Sequence, residues 1–163
     1  MPKSTYRVSS GNQLSMLSSL ILSSTILISI SVYNWGYTIP TYVVLVIILL
    51  TSIIPTFIVH YQYLKVNRGL EISIDIDNRI IEFFNKGIIS SYSFDDIKQL
   101  TSTSSYGGGS WYSFGDYKYC KLVMKDKKCY IITCLLIKNL EDNFISVLGI
   151  DETKNLKLLA LLD

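Results

Sequence analysis

Residues 8–64 read VSSGNQLSMLSSLILSSTILISISVYNWGYTIPTYVVLVIILLTSIIPTFIVHYQYL and contain no Asp, Glu, Lys or Arg. A soluble domain rarely tolerates such a gap. A bilayer selects for it, because a charged side chain at its centre costs roughly 2.5 to 3.5 kcal/mol. All 13 acidic residues lie at or after Glu71. The pattern predicts that the first third of the chain is embedded in a membrane and that the rest is not.

Two membrane spans fit within this stretch, at about 14–33 and about 41–63. Each supplies the ~20 residues that cross about 30 Å of hydrocarbon. The short connection between them contains Gly36 and Pro40, which are typical of a turn. The predicted organisation has three parts: an N-terminal tail over 1–12, a transmembrane helical hairpin over 13–64 and a soluble domain over 65–163.

Basic residues flank the hairpin on one side only. Lys3 and Arg7 precede it, Lys65 and Arg68 follow it, and none lies between the spans. The positive-inside rule therefore places both termini in the cytoplasm. We expect a two-pass protein of the cell inner membrane. A cleaved signal peptide is the competing interpretation, which the length of the apolar stretch and the lack of an A-x-A site disfavour.

Small and helix-breaking residues mark the two spans. Ser15, Ser19 and Ser23 recur every four residues, and such rows let helix backbones approach closely. We predict that this row packs against the second span or against a helix of another membrane protein. In the second span Pro55 cannot donate a hydrogen bond to the carbonyl of Thr51, so a kink or local break is expected there.

The hydrophobic pattern changes to a period of two after Gly69. Residues 71–77 alternate, which places Ile72, Ile74 and Ile76 on one face of a strand. Turn signals then separate further short segments, and the pattern predicts six or seven antiparallel strands in all. Two helices are predicted after the strands, over Leu136–Leu148 and over Glu152–Leu162.

A family resemblance rests on residues 88–97, IISSYSFDDI. Two spans, a strand hairpin, a third strand and the segment SFDDI together resemble bacterial two-span membrane proteins with a PH-like cytosolic domain, the YcxB-like family. The resemblance implies a membrane α-helical hairpin plus an α+β soluble domain. That domain would be a PH-like antiparallel β-barrel or sandwich capped by a C-terminal helix. The resemblance implies no catalytic residue.

Residues with catalytic or metal-binding spacing are scarce. The one histidine, His60, falls in the membrane half, away from the acids, and the three cysteines lack CxxC spacing. Only two basic residues, Lys3 and Arg7, precede the hairpin. Residues 65–163 therefore hold 13 of the 15 basic residues and all 13 acidic residues. This balance argues against nucleic-acid binding. We predict no enzymatic activity, no cofactor and no metal.

A loop rich in glycine and aromatic residues, Tyr106–Tyr117, is the best candidate for partner binding. Glycine provides mobility, and amphipathic aromatic side chains are preferred anchors of protein interfaces. The alternative is a hairpin whose aromatic side chains fold back onto the sheet. The predicted contacts are Tyr106, Trp111, Tyr112, Phe114 and Tyr117.

The pattern as a whole favours a non-enzymatic membrane protein that acts through protein–protein interaction, as an accessory subunit or scaffold of a membrane complex. Its expected partners are the lipid bilayer and other membrane proteins, and homo-oligomerisation stays open. An immunity protein against a membrane-targeted toxin is an alternative. A small transporter or channel subunit is a second alternative, and the lack of intramembrane charge counts against it.

Overall fold

The computed structural model describes residues 3–105, 116–157 and 159–162. In chain order its elements are β1 (Ser4–Arg7), α1 (Ser10–Trp35), α2 (Ile39–Ile48), a π-helical turn (Leu49–Ile53), α3 (Ile54–Asn67), β2 (Leu70–Asp75), β3 (Ile80–Asn85), β4 (Ile88–Ser93), a 3₁₀ turn (Phe94–Asp96), β5 (Ile97–Ser105), β6 (Lys118–Met124), β7 (Cys129–Thr133), a second π-helical turn (Glu141–Ile145), α4 (Ser146–Leu148) and β8 (Glu152–Lys157).

Within the described residues, two helices are long and apolar enough to cross a membrane: α1 and the continuous second long helix, Ile39–Asn67. Only 12% and 17% of their most apolar windows are buried within the protein. The second long helix changes to π-helical geometry immediately before Ile54 and Pro55, which confirms the predicted local break. Proline lacks the N–H that regular helical bonding requires, so the ladder shifts by one residue there.

The two long helices pack against each other along a partly polar seam. Ser24 and Ser31 of α1 are buried, seven residues apart. The hydroxyl of Thr41, near the start of α2, donates to the carbonyls of Ser31, at 3.4 Å, and Gly36, at 2.6 Å. Gly36 ends α1 with φ of +61°, a conformation that L side chains rarely adopt.

The first sheet has the strand order β1-β2-β3-β4, and each pair is antiparallel. β1 precedes both long helices and β2 follows them, yet Arg7 lies opposite Glu71. The helical hairpin is therefore inserted between two neighbouring strands. Residues 4–7 belong to the domain, although the sequence predicts them as part of a tail, because four residues are too short to show a strand alternation.

The second sheet has the order β7-β6-β5-β8, and β8 runs parallel to β5. The helix predicted over Glu152–Leu162 is therefore wrong, and the pairing is not wholly antiparallel. The strand Glu152–Lys157 lies along Leu100–Ser105 and satisfies backbone groups at an edge of β5. These hydrogen bonds outweigh the modest helical propensity of the segment.

The main core lies between the two sheets. Ile72 and Ile74 are buried in it and Ile76 is partly buried against it, which confirms the alternation predicted for β2. The helix predicted over Leu136–Leu148 is shorter than expected, and it ends at Gly149, whose left-handed φ of +61° is typical of a helix C-terminus. The core is thus closed by a short helical segment that β8 follows, instead of by a C-terminal helix.

Candidate interaction surfaces

A second apolar cluster joins the second long helix to the second sheet. Tyr63 is fully buried in this cluster, and its ring makes edge-to-face contacts with Tyr117 at 5.5 Å and Tyr119 at 6.1 Å. Its hydroxyl donates to the carbonyl of Ala160 at 2.8 Å. The last turns of this helix are therefore part of the domain interior. The buried members of the cluster are Val59, Tyr63, Tyr117, Tyr119, Cys134, Leu135 and Ala160.

Asn67, the last residue of the same helix, forms hydrogen bonds to β7, an outer strand of the second sheet. Its side-chain amide donates to the carbonyl of Ile131 at 2.9 Å. Its carbonyl oxygen accepts from the backbone N–H and the hydroxyl of Thr133. Among the described strands β7 lies at the edge of its sheet, so Asn67 pairs backbone groups that a neighbouring strand would otherwise satisfy. The helix and the domain are joined by directional bonds as well as by apolar packing.

Tyr117 is the one predicted loop contact that lies within the described residues. It is buried, its hydroxyl lies 2.7 Å from Nδ1 of His60, and burial raises the pKa of the Tyr117 hydroxyl. Its side chain therefore folds back onto the protein and is not presented to a partner. The other predicted loop contacts, Tyr106, Trp111, Tyr112 and Phe114, lie outside the described residues.

The predicted serine row lies in the N-terminal half of α1. Ser15 is exposed, and the hydroxyl of Ser23 donates to the carbonyl of Leu20 within its own helix at 3.2 Å. The side chain of Ser19 lies outside the described part of the structure. The role of this row in helix packing stays a prediction.

A cleft of about 440 Å³ opens beside the outer strand of the first sheet. β4 pairs only with β3 among the described residues, so its other edge is unpaired there. Ile88 and Ile89 of β4 are 69% and 64% exposed. Among the described strands, only Leu156 is a comparably exposed large apolar side chain. An unpaired edge with exposed apolar residues is a surface on which another chain can add a strand.

The floor of this cleft is aromatic. The rings of Phe83 and Tyr130 stack with their centroids 3.8 Å apart and an interplanar angle of 6°. The hydroxyl of Tyr92 accepts from Nζ of Lys128 at 3.1 Å and donates to Asp126 at 3.0 Å. The bond to Tyr92 raises the pKa of Lys128, whose own backbone N–H lowers the pKa of the Asp126 carboxyl. The cleft therefore combines an apolar floor with an ion pair at its rim, in which Nζ of Lys128 lies 3.4 Å from the Asp126 carboxylate.

The thiols differ in their accessibility. Cys120 and Cys134 are buried, and burial raises the pKa of the Cys134 thiol to about 12. Cys129 is exposed at the start of β7. Within the described residues, no group of three or more His, Cys, Asp and Glu side chains is arranged to hold a metal ion.

Two four-stranded sheets packed around one core and closed by a short helical segment define a PH-like α+β domain, here interrupted by two long apolar helices. The chain belongs to the PH domain family, which it matches over residues 5–142. The matched residues run from β1 to the second π-helical turn and include both long helices. Searches of curated proteins and of solved structures find no match.

Proposed function

We propose that this protein is an integral membrane protein that holds a PH domain against the bilayer and acts through protein–protein interaction, as an accessory subunit or scaffold of a membrane complex. One observation carries the proposal, the continuity of the second long helix. Most apolar side chains of residues 39–58 are exposed, and residues 59–67 are docked into the domain. Twenty helical residues span about 30 Å, the thickness of the hydrocarbon.

The insertion point of the hairpin supports a two-pass topology with both termini on one side. β1 and β2 pair directly, so both ends of the hairpin begin at the same sheet. Lys65 and Arg68 stand at this end, and the positive-inside rule makes it the cytoplasmic side. We further propose that the membrane is the bacterial inner membrane and that the chain belongs to the YcxB-like group.

The cleft beside β4 is the domain surface that fits a protein partner. An extended segment can add to the free edge of β4 through main-chain hydrogen bonds, which supply affinity. Ile88 then packs against the added segment from the side of the cleft, and Ile89 from the opposite face of the sheet. Lys86 lines the cleft and favours a partner segment that carries an acidic residue, whereas Lys128 is already paired with Asp126.

Affinity purification of the tagged full chain in mild detergent, with mass spectrometry and measured stoichiometry, tests the proposed function. We expect a partner protein in a fixed ratio to this chain. A homo-oligomer without a second protein, from cells grown under several conditions, would contradict the accessory-subunit role.

A substitution on β4 tests the contact surface. We expect Ile88→Lys, at a residue that lines the cleft, to lower recovery of the partner about tenfold and to leave the fold intact. Burying an isoleucine contributes about 1.5–3 kcal/mol, and about 1.4 kcal/mol corresponds to a tenfold change in affinity. Leu156→Lys is the matched control, since Leu156 is 67% exposed on the other sheet. Equal recovery from the two variants would exclude the β4 edge as the interface.

A further inference from the structure

A second cavity, of about 520 Å³, lies at the base of the helical hairpin, where the ends of both long helices meet the domain. Tyr61 and Lys65 line it from one face of α3, four residues apart, and Arg68 lines it from the extended residue that directly follows the helix. This face differs from the one that carries Tyr63 and Asn67 into the domain. The remaining lining residues are Gln13 of α1, Leu64, Val8 and Gly69.

The cavity carries two positive charges and no negative charge. Lys65 and Arg68 are exposed, and neither forms an ion pair within the described chain. The planar guanidinium of an arginine matches two oxygens of a phosphate, and a nearby lysine adds a point charge. Gln13 and Tyr61 bring further hydrogen-bond donors to the same space. The chemistry is that of an anion site with one apolar wall.

The position of the cavity along the helix indicates the source of the anion. Ile58 is an exposed apolar residue of the second long helix, and Lys65 lies about 10 Å further along it, at 1.5 Å per residue. On α1, the exposed apolar surface begins at Leu14, directly after Gln13. Both helices therefore change from apolar to polar surface at the cavity, as they do at the level of lipid headgroups.

We propose that this cavity binds the phosphate headgroup of an anionic phospholipid from the surrounding leaflet. Arg68 and Lys65 hold the phosphate, Gln13 and Tyr61 bond to the polar oxygens beside it, and the acyl chains follow the exposed apolar surface of the hairpin. Basic pockets between membrane helices on the cytoplasmic side are known to take such headgroups. The inference rests on the proposed membrane insertion. The bound lipid would fix the height of the domain above the leaflet.

Native mass spectrometry of the full chain in mild detergent tests this site, with titration by phosphatidylglycerol or by phosphatidylcholine. We expect phosphatidylglycerol to bind roughly 30-fold more tightly, the combined effect of two bases near a membrane surface. Lys65→Gln with Arg68→Gln should remove the preference. Lys121→Gln with Lys125→Gln, the same charge change at exposed positions on β6 and in the turn that follows it, should preserve it.

Alkaline carbonate extraction of membranes from the cells that produce the chain distinguishes a failure of the lipid site from a failure of the proposed membrane insertion. A chain that stays in the membrane but shows no preference for phosphatidylglycerol would overturn the lipid site and leave membrane insertion standing. A chain released by carbonate would overturn both. Complete displacement of phosphatidylglycerol by excess glycerol 3-phosphate would show a site for soluble phosphates, which also contradicts the lipid assignment.

Discussion

Replacing Tyr63 with alanine is expected to destabilise the protein by about 3–5 kcal/mol, the range for truncating a large buried aromatic side chain. The ring is fully buried between Tyr117 and Tyr119, and its hydroxyl donates to the carbonyl of Ala160. Removing it opens a cavity at the junction between the second long helix and the domain. Denaturant unfolding of the purified chain in detergent, followed by near-ultraviolet circular dichroism, measures the change.

Two further variants make the Tyr63 result specific. Tyr61→Ala removes the same side chain two residues earlier, at a position that is 68% exposed, and should change stability by less than about 0.5 kcal/mol. Tyr63→Phe keeps the ring and removes only the hydrogen bond, at a cost of about 1 kcal/mol. If Tyr63→Ala costs no more than Tyr61→Ala, the helix is not docked into the domain as described.

Asn67→Ala is the second large effect, expected at about 3 kcal/mol. The substitution leaves the backbone N–H of Thr133 and the carbonyl of Ile131 without their present partner, and each unsatisfied buried group costs about 1–3 kcal/mol. Because both groups belong to β7, the change should loosen that strand in particular. Hydrogen exchange should show the protection of the Thr133 amide falling about 100-fold, since about 1.4 kcal/mol is a factor of ten.

Asn155→Ala is the matched control for this prediction. Asn155 is exposed on β8, at the opposite edge of the same sheet, so its truncation should change stability by less than about 0.5 kcal/mol. Similar exchange at Thr133 in both variants would mean that Asn67 does not support the edge of β7.

Local patterns in the sequence predict much of this fold. The charge-free stretch predicts the two long helices because lipid and charge are incompatible, and Pro55 predicts the break within the second helix. Alternation along β2 predicts its buried face because side chains alternate across a strand. These features depend on neighbours within a few residues, so no tertiary contact is needed to recognise them.

The features that the sequence does not predict depend on contacts between segments that are distant along the chain. β1 is a strand because Arg7 and its neighbours pair with residues beyond the hairpin, and β8 is a strand because β5 offers an edge. Lys65 and Arg68 are recognisable as orientation signals, but their shared cavity with Gln13 exists only once both helix ends meet the domain. The same holds for Asn67, whose partners lie on β7.

The central claim, a two-pass hairpin with the PH domain on the cytoplasmic side, is tested most directly by thiol labelling of intact cells with a membrane-impermeant maleimide. Cys129 is exposed on the domain, whereas Cys120 and Cys134 are buried. Tyr37, 80% exposed at the tip of the hairpin, provides the opposite reporter as Tyr37→Cys in a Cys129→Ser background. The account predicts that the cysteine at position 37 is labelled in intact cells and that Cys129 is labelled only after permeabilisation. Labelling of Cys129 in intact cells would contradict it.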